Sequence, residues 1–131
     1  MTTVECIFCD RIERGDVLLS NEHAAAFHDG FPLSPGHTLI VPRRHEADFL
    51  ALSREEQASI WALVDPMRRL IEAGGAPPDG YNIGVNVGGA AGQTVAHAHL
   101  HLIPRHHGDV ADPRGGVRCV VPGRARYWEG G

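Results

Sequence analysis

Apolar and polar positions change period several times along this chain, and each change marks an element. Ile60, Leu63, Val64, Met67, Leu70 and Ile71 recur at helical spacing and predict an amphipathic helix. Ser53 suits its N-cap, Glu56 completes a capping box, and Gly74-Gly75 stops it. Pro66 conflicts with that reading, because a proline inside a helix removes a hydrogen bond and kinks the axis. The expectation is one kinked main helix, with two short helices as the alternative. Cys6 to Arg14 predicts a short first helix, ended at Gly15. Strands are expected over Val17 to Ser20, His23 to His28, His37 to Val41, Tyr81 to Val87 and His97 to Ile103, with a last short one near Val117. Between them Phe31 to Gly36 and Gly88 to Gly92 read as loops, the second flexible. A strand-rich chain with one main helix is an α+β domain with an antiparallel sheet of about five strands.

Alternation is strictest at the end of the series. In a strand, neighbouring side chains point to opposite faces. His97, His99 and His101 therefore share one face, and Ala98, Leu100 and Leu102 the other. The apolar face can pack on a core, but three imidazoles cannot simply be buried, since each carries a donor and an acceptor that need partners.

Size and charge narrow the field. The 131 residues fit a single domain over 1–131, and the formal charge of −4 is spread along the chain with both signs mixed. Neither a nucleic-acid nor a membrane surface is expected. Met1-Thr2-Thr3-Val4-Glu5 lacks the basic and apolar runs of a signal peptide, so a cytoplasmic protein is expected. Three cysteines make no disulfide framework. Cys6 and Cys9 form a C-x-x-C pair that suggests metal or redox chemistry, but five preceding residues leave no room for the strand a thioredoxin-like motif needs. Cys119, in an apolar run, is expected as a packed core thiol.

Glycines 88, 89 and 92, followed by Gln93 and Thr94, could present backbone N–H groups and side-chain donors to an anion. No lysine follows them, so this is not a Walker loop, and a strand rather than a helix comes next. Joined to the histidines, the loop suggests a phosphate held beside a nucleophilic imidazole. Such a ring attacks phosphorus when one nitrogen is unprotonated and the other is held by a hydrogen bond. The chemistry itself requires no metal.

At these residues the chain resembles the histidine triad (HIT) family of nucleotide hydrolases and transferases. His97-Ala98-His99-Leu100-His101-Leu102-Ile103 matches its motif in full. Cys6-Ile7-Phe8-Cys9, Ala26-Phe27-His28-Asp29, Pro35 to His45 and Ala91 to Val95 look like further family blocks in the same order. The likeness covers a core over 6–105 and leaves 106–131 as a C-terminal segment. It implies a HIT-like fold whose sheet continues across a homodimer. It also implies His99 as nucleophile toward the α-phosphate, with His101 on the phosphate and His97 and His37 beside them. Gln93, Thr94 and Asn86 are then expected near phosphate oxygens, Asp29 on the ribose, and Phe27, His28 and Leu39 around the base, a purine. Cys6, Cys9, His45 and His97 match the ligands of a structural zinc found in bacterial members.

The expected activity is cleavage at the α-phosphate of a dinucleoside polyphosphate or a nucleoside phosphoramidate, through a nucleotidyl-histidine intermediate. Two other readings compete. A metal hydrolase could use the histidines as ligands, but no Asp or Glu lies in the strand to complete a catalytic shell. A zinc-binding nucleotide sensor or adaptor would bind without turnover, and it has no need of the middle histidine.

Overall fold

Alternation along the strands divides the apolar residues between the two faces of one sheet. The computed structural model describes residues 6–129; the N-terminal residues 1–5, read above for a signal peptide, and residues 130–131 of the domain lie outside them. The chain forms α1 (Ile7–Glu13), β1 (Leu19–Ser20), β2 (Ala24–His28), β3 (Thr38–Pro42), α2 (Arg54–Ala62), α3 (Val64–Glu72), β4 (Gly80–Val85) and β5 (Leu100–Arg105). The five strands make one antiparallel sheet in the order β1-β2-β3-β5-β4.

Ala24, Ala26, Ile40, Leu100 and Leu102 point to one face and pack with Ile60, Leu63 and Met67. Fully burying a side chain such as Met67 contributes about 1.5–3 kcal/mol, so this layer holds the helices on the sheet. Ala25, Phe27, Leu39 and Val41 point to the other face and meet Phe8 of α1. The second face is thinly covered, and that is where the histidines emerge.

The main helical segment has the capping box expected of Ser53 and Glu56: Glu56 N–H donates to Ser53 Oγ, and Ser53 N–H donates to the Glu56 carboxylate. Arg44 grips the same carboxylate through Nε and Nη2, each at 2.9 Å, and holds Glu56 down at about 2. The segment is divided at Leu63 into α2 and α3. Pro66 explains the division: it has no N–H for the Ala62 carbonyl, and as the third residue of α3 it sits where none is required.

Several expected boundaries shift. The strand expected over His97 to Ile103 runs instead from Leu100 to Arg105, so only the third histidine is in the sheet. Continuing the β3–β5 register would bring Pro42 opposite Ala98, and proline has no N–H for the ladder. Ala98 N–H donates to Glu46 O at 2.6 Å instead. The strands expected over Val17 to Ser20 and Tyr81 to Val87 are likewise trimmed to β1 and β4. Near Val117 there is no strand but a 3₁₀ turn, Gly116–Val120, entered through Gly115 and Gly116 at φ 93° and 45°. Those backbone angles are incompatible with an extended chain. Cys119, expected as a core thiol, is exposed on that turn.

Candidate active site

Each histidine of the triad is fixed by a different neighbour. The loop after β3 carries His45 and clamps the residues before β5 from two sides: Ala98 N–H donates to Glu46 O, and Gln93 Nε2 donates to Ala47 O at 2.8 Å. Helix α1 lies across the same region, and the Phe8 ring packs edge-on against His97 and His99, with centroids at 5.8 and 5.1 Å.

His97 is fully buried. Its Nε2 lies 2.8 Å from Pro42 O. A carbonyl only accepts, so Nε2 carries the proton and the Nδ1 lone pair points the other way. Burial disfavours a charged ring and pushes the pKa below its ordinary value. The lone pair meets Cys6 Sγ at 3.4 Å, Cys9 Sγ at 3.5 Å and His45 Nδ1 at 3.2 Å. These four atoms, from the start of α1, the loop after β3 and the triad, lie within 4.8 Å of one another and could hold a metal ion.

His99 is set by the backbone of His97. Its Nδ1–H donates to His97 O at 2.8 Å, which leaves Nε2 as the unprotonated nitrogen of the neutral ring. That is the arrangement a nucleophilic imidazole requires. His97 thus serves twice, with its ring among the thiols and its carbonyl on the next histidine.

His101 is set by His37. Leu33 N–H donates to His37 Nδ1 at 3.0 Å, so the neutral His37 ring carries its proton on Nε2. That nitrogen lies 3.0 Å from His101 Nδ1, with Asp29 Oδ2 at 3.4 Å as a second acceptor. His101 Nδ1 is therefore the acceptor, and its Nε2–H is left to donate outward. Both rings are held neutral. Burial lowers the His37 pKa, and Asp29 only partly opposes it. His101 is lowered to about 4, chiefly by burial and then by repulsion from His99 and His37.

A cavity of about 390 Å³ opens over His99 and His101, between Phe8, Asp29, Leu39, Asn86 and Thr94. Phe27 lies beneath it, fully buried against Phe8 at 5.5 Å, with the Arg11 guanidinium 4.1 Å over its ring. Six of the expected residues, Asp29, Leu39, Asn86, Thr94, His99 and His101, line this space, with His37 and His97 hydrogen-bonded behind them and Phe27 beneath, but two residues stand apart from this group. His28 shares the face of Ala24 and Ala26 and lines a cavity with Met67 and Ile71 on the far side of the sheet. Period two along β2 separates it from Phe27. Gln93 has its amide committed to the loop: Oε1 accepts from Gly88 N–H, and Nε2 donates to Ala47 O and Val95 O. The loop expected to be flexible contains a 3₁₀ turn, Gly89–Ala91, and the N–H groups of Ala91, Gly92 and Gln93 close that turn rather than face the cavity. The Thr94 hydroxyl, the Asn86 amide and His101 Nε2–H are donors at this cavity that could serve an anion.

Sequence reasoning missed Ile7, Phe8, Arg11 and Phe31, which line the cavity. Ile7, Phe8 and Arg11 stand at helical spacing on one side of α1, so the signal was there once α1 was known to face the histidines.

Known proteins share this fold and much of this sequence. A family model described as HIT domain matches residues 12–108. Adenosine 5′-monophosphoramidase hnt1 of Schizosaccharomyces pombe is 38% identical over 78% of this chain and 75% of its own length. AP-4-A phosphorylase of Mycobacterium tuberculosis is 34% identical over 74% of this chain and 50% of its own. The crystal structure of a Zn-bound histidine triad family protein from Mycobacterium smegmatis superposes with a TM-score of 0.74 at 35% identity, covering 85% of this chain and 82% of that one.

Proposed function

The chain belongs to the HIT family, and from that premise we propose that it is a nucleotide hydrolase or transferase acting at the α-phosphate of a nucleoside 5′-phosphoryl compound through a nucleotidyl-His99 intermediate. The observation that carries this reading is the hydrogen bond from His99 Nδ1–H to His97 O, which leaves Nε2 unprotonated at the cavity. His99 Nε2 attacks phosphorus and the leaving group departs with the bonding pair. Water then attacks the same phosphorus, the N–P bond breaks, and its electron pair returns to Nε2. His101 Nε2–H, Thr94 and Asn86 donate to the phosphoryl oxygens as charge builds on them. Asp29 receives the ribose hydroxyls, and Phe8 and Leu39 form the apolar wall for a purine base, with Phe27 packed behind Phe8. Gln93 braces the loop that carries Thr94.

Zinc is the metal that the Cys6, Cys9, His45 and His97 cluster fits. Two thiol sulfurs and two imidazole lone pairs are a donor set that selects it. A tetrahedral ion with bonds of about 2.0–2.3 Å spans ligand-to-ligand edges of about 3.3–3.8 Å, close to the 3.2–3.5 Å found between the His97 nitrogen and its three neighbours. Cys6, Cys9, His45 and His97 would fill its shell, so its contribution is to tie α1 and the loop after β3 to the triad. The free β4 edge and the exposed Trp61 are available to a homodimer partner.

The test is turnover of an adenosine 5′-phosphoramidate and of a diadenosine polyphosphate by the parent and by His99→Ala. Hydrolysis of at least one by the parent, with none above background by a folded His99→Ala variant, is expected. Nucleotide binding without turnover would point to a sensor instead.

A further inference from the structure

A cavity of about 520 Å³ lies on the far side of the sheet from the triad, beside the C-terminal end of α3. Alternation explains its polar groups. Ala24, Ala26 and His28 share one face of β2, and Leu100, Leu102, Pro104 and His106 keep the same period through β5 and just past it. In both series the buried residues are followed, at the next core-facing position, by a histidine, and both rings line the cavity. Neither ring makes a hydrogen bond to another described residue. The walls around them are apolar: Leu18, Pro35, Leu70, Ile71 and Pro78. No Asp, Glu, Lys or Arg is among the described residues that line it.

One turn serves both this cavity and the active site. Pro35 and Gly36 line the cavity. Gly36 has φ 90°, and a Cβ there would come within 3.3 Å of Ile71 Cγ2, so glycine lets α3 settle against the turn. On the active-site side, Leu33 N–H donates to His37 Nδ1, the bond that keeps the His37 proton on the nitrogen facing His101. Ser34 Oγ–H donates to Pro104 O at 2.7 Å, and His37 N–H donates to Ser34 O at 3.0 Å, so residues 33–37 are braced as a unit. A molecule seated against Pro35 and Gly36 therefore bears on the turn that positions His37.

We propose that this cavity binds a small apolar carboxylate, apart from the phosphate site and joined to it through residues 33–37. The lining selects that chemistry. An imidazole carries an N–H in both its neutral and its charged form, so either ring can donate to an anionic oxygen. No acidic side chain stands at the cavity to repel an anion or to hold a cation. A carbon skeleton loses water-exposed surface against Ile71 and Leu70, the latter 46% exposed. The two rings end strands on either side of β3, so one head group uses one ring. The proposal does not depend on the reaction at His99.

The experiment follows the backbone amides of the full chain by NMR as phenylbutyrate, or phenylbutanol as its uncharged counterpart, is added. Saturable shifts are expected at Gly36, Ile71 and Gly74, with a Kd of about 0.1–1 mM for the carboxylate, and the Leu33 amide should move with them. The alcohol should bind about tenfold more weakly. A variant combining His28→Phe with His106→Phe keeps the apolar area and removes the N–H donors. It should lose the preference for the carboxylate while its affinity for the alcohol stays within about twofold of the parent. Leu70→Asp, at a half-exposed position, should weaken the carboxylate more than the alcohol. Absence of saturable shifts, equal affinity for the two probes in the parent, or a preference that survives in the double variant overturns the proposal. Shifts centred on Asn86 and Thr94 would put the anion in the phosphate site and overturn it as well. Shifts at Gly36 with none at Leu33 would overturn the link to His37.

Discussion

The two ends of the triad contain the same residue and do opposite things. His97 turns its lone pair toward two thiols and a second imidazole, a grouping that calls for a cation. His101 accepts a hydrogen bond from His37 across 3.0 Å, and its lone pair is satisfied there. The difference comes from what the neighbouring elements deliver: Cys6 and Cys9 from α1 at one end, and His37 at the head of β3 at the other. Between them His99 depends on the backbone of the first and stands beside the ring of the third, with centroids 5.0 Å apart. A row of identical side chains becomes a graded site because the hydrogen-bond partners place the proton on Nε2 in the outer two rings and on Nδ1 in the middle one.

The comparison breaks most visibly at the metal end. Cys6→Ala or His45→Ala should abolish bound metal by elemental analysis and lower stability by about 4 kcal/mol or more, the effect of losing a ligand present at a thousand times its dissociation constant. The other end should respond in the opposite sense. His101→Ala, and to a lesser degree His37→Ala, should lower kcat/KM by about 10²–10³-fold with metal content unchanged, as when a donor to a developing charge is removed. If either class of variant produced both effects, the two ends would not be separate.

A pH series sharpens the contrast. His101 is lowered to about 4, so between that value and the ordinary histidine range the unfolded chain binds more protons than the folded one. Its contribution is complete above about pH 6.5 and is lost as pH falls toward 4. Glu56, lowered to about 2, adds a loss that begins below its ordinary value of 4.5. Thermal midpoints should therefore fall with acidification, and His101→Asn should flatten the slope above pH 4.5 while Glu56→Gln flattens it below. The smallest effect is expected from Ser53→Ala, which removes the α2 cap at about 1 kcal/mol and should change neither metal content nor turnover.

What was legible in the sequence was whatever short-range periodicity decides. Ala98, Leu100 and Leu102 lie in the core beneath the helices, as alternation required, and the Ser53–Glu56 box and the break forced by Pro66 are local chemistry. The family blocks carried the long-range part, for nothing local says that Cys6 and Cys9 meet His97 some ninety residues later. Expectations went astray where one residue type could serve two ends. The glycines before Gln93 could have offered N–H groups to an anion or closed a turn, and they close the turn. Gln93 could have met phosphate or braced the loop, and both ends of its amide are committed to the loop. His28 was separated from Phe27 by the same period-two rule that located the triad. The apolar run around Cys119 lacked a partner strand, so Gly115 and Gly116 decided its conformation.

The most direct measurement is the intact mass of the protein quenched during turnover of an adenylyl donor, with the modified residue mapped by peptide fragmentation. The account predicts one added adenylyl group, on His99, absent from His99→Ala and retained in a slowly turning over His101→Ala variant. Sustained turnover with no adduct on His99, or an adduct on another residue, would contradict it.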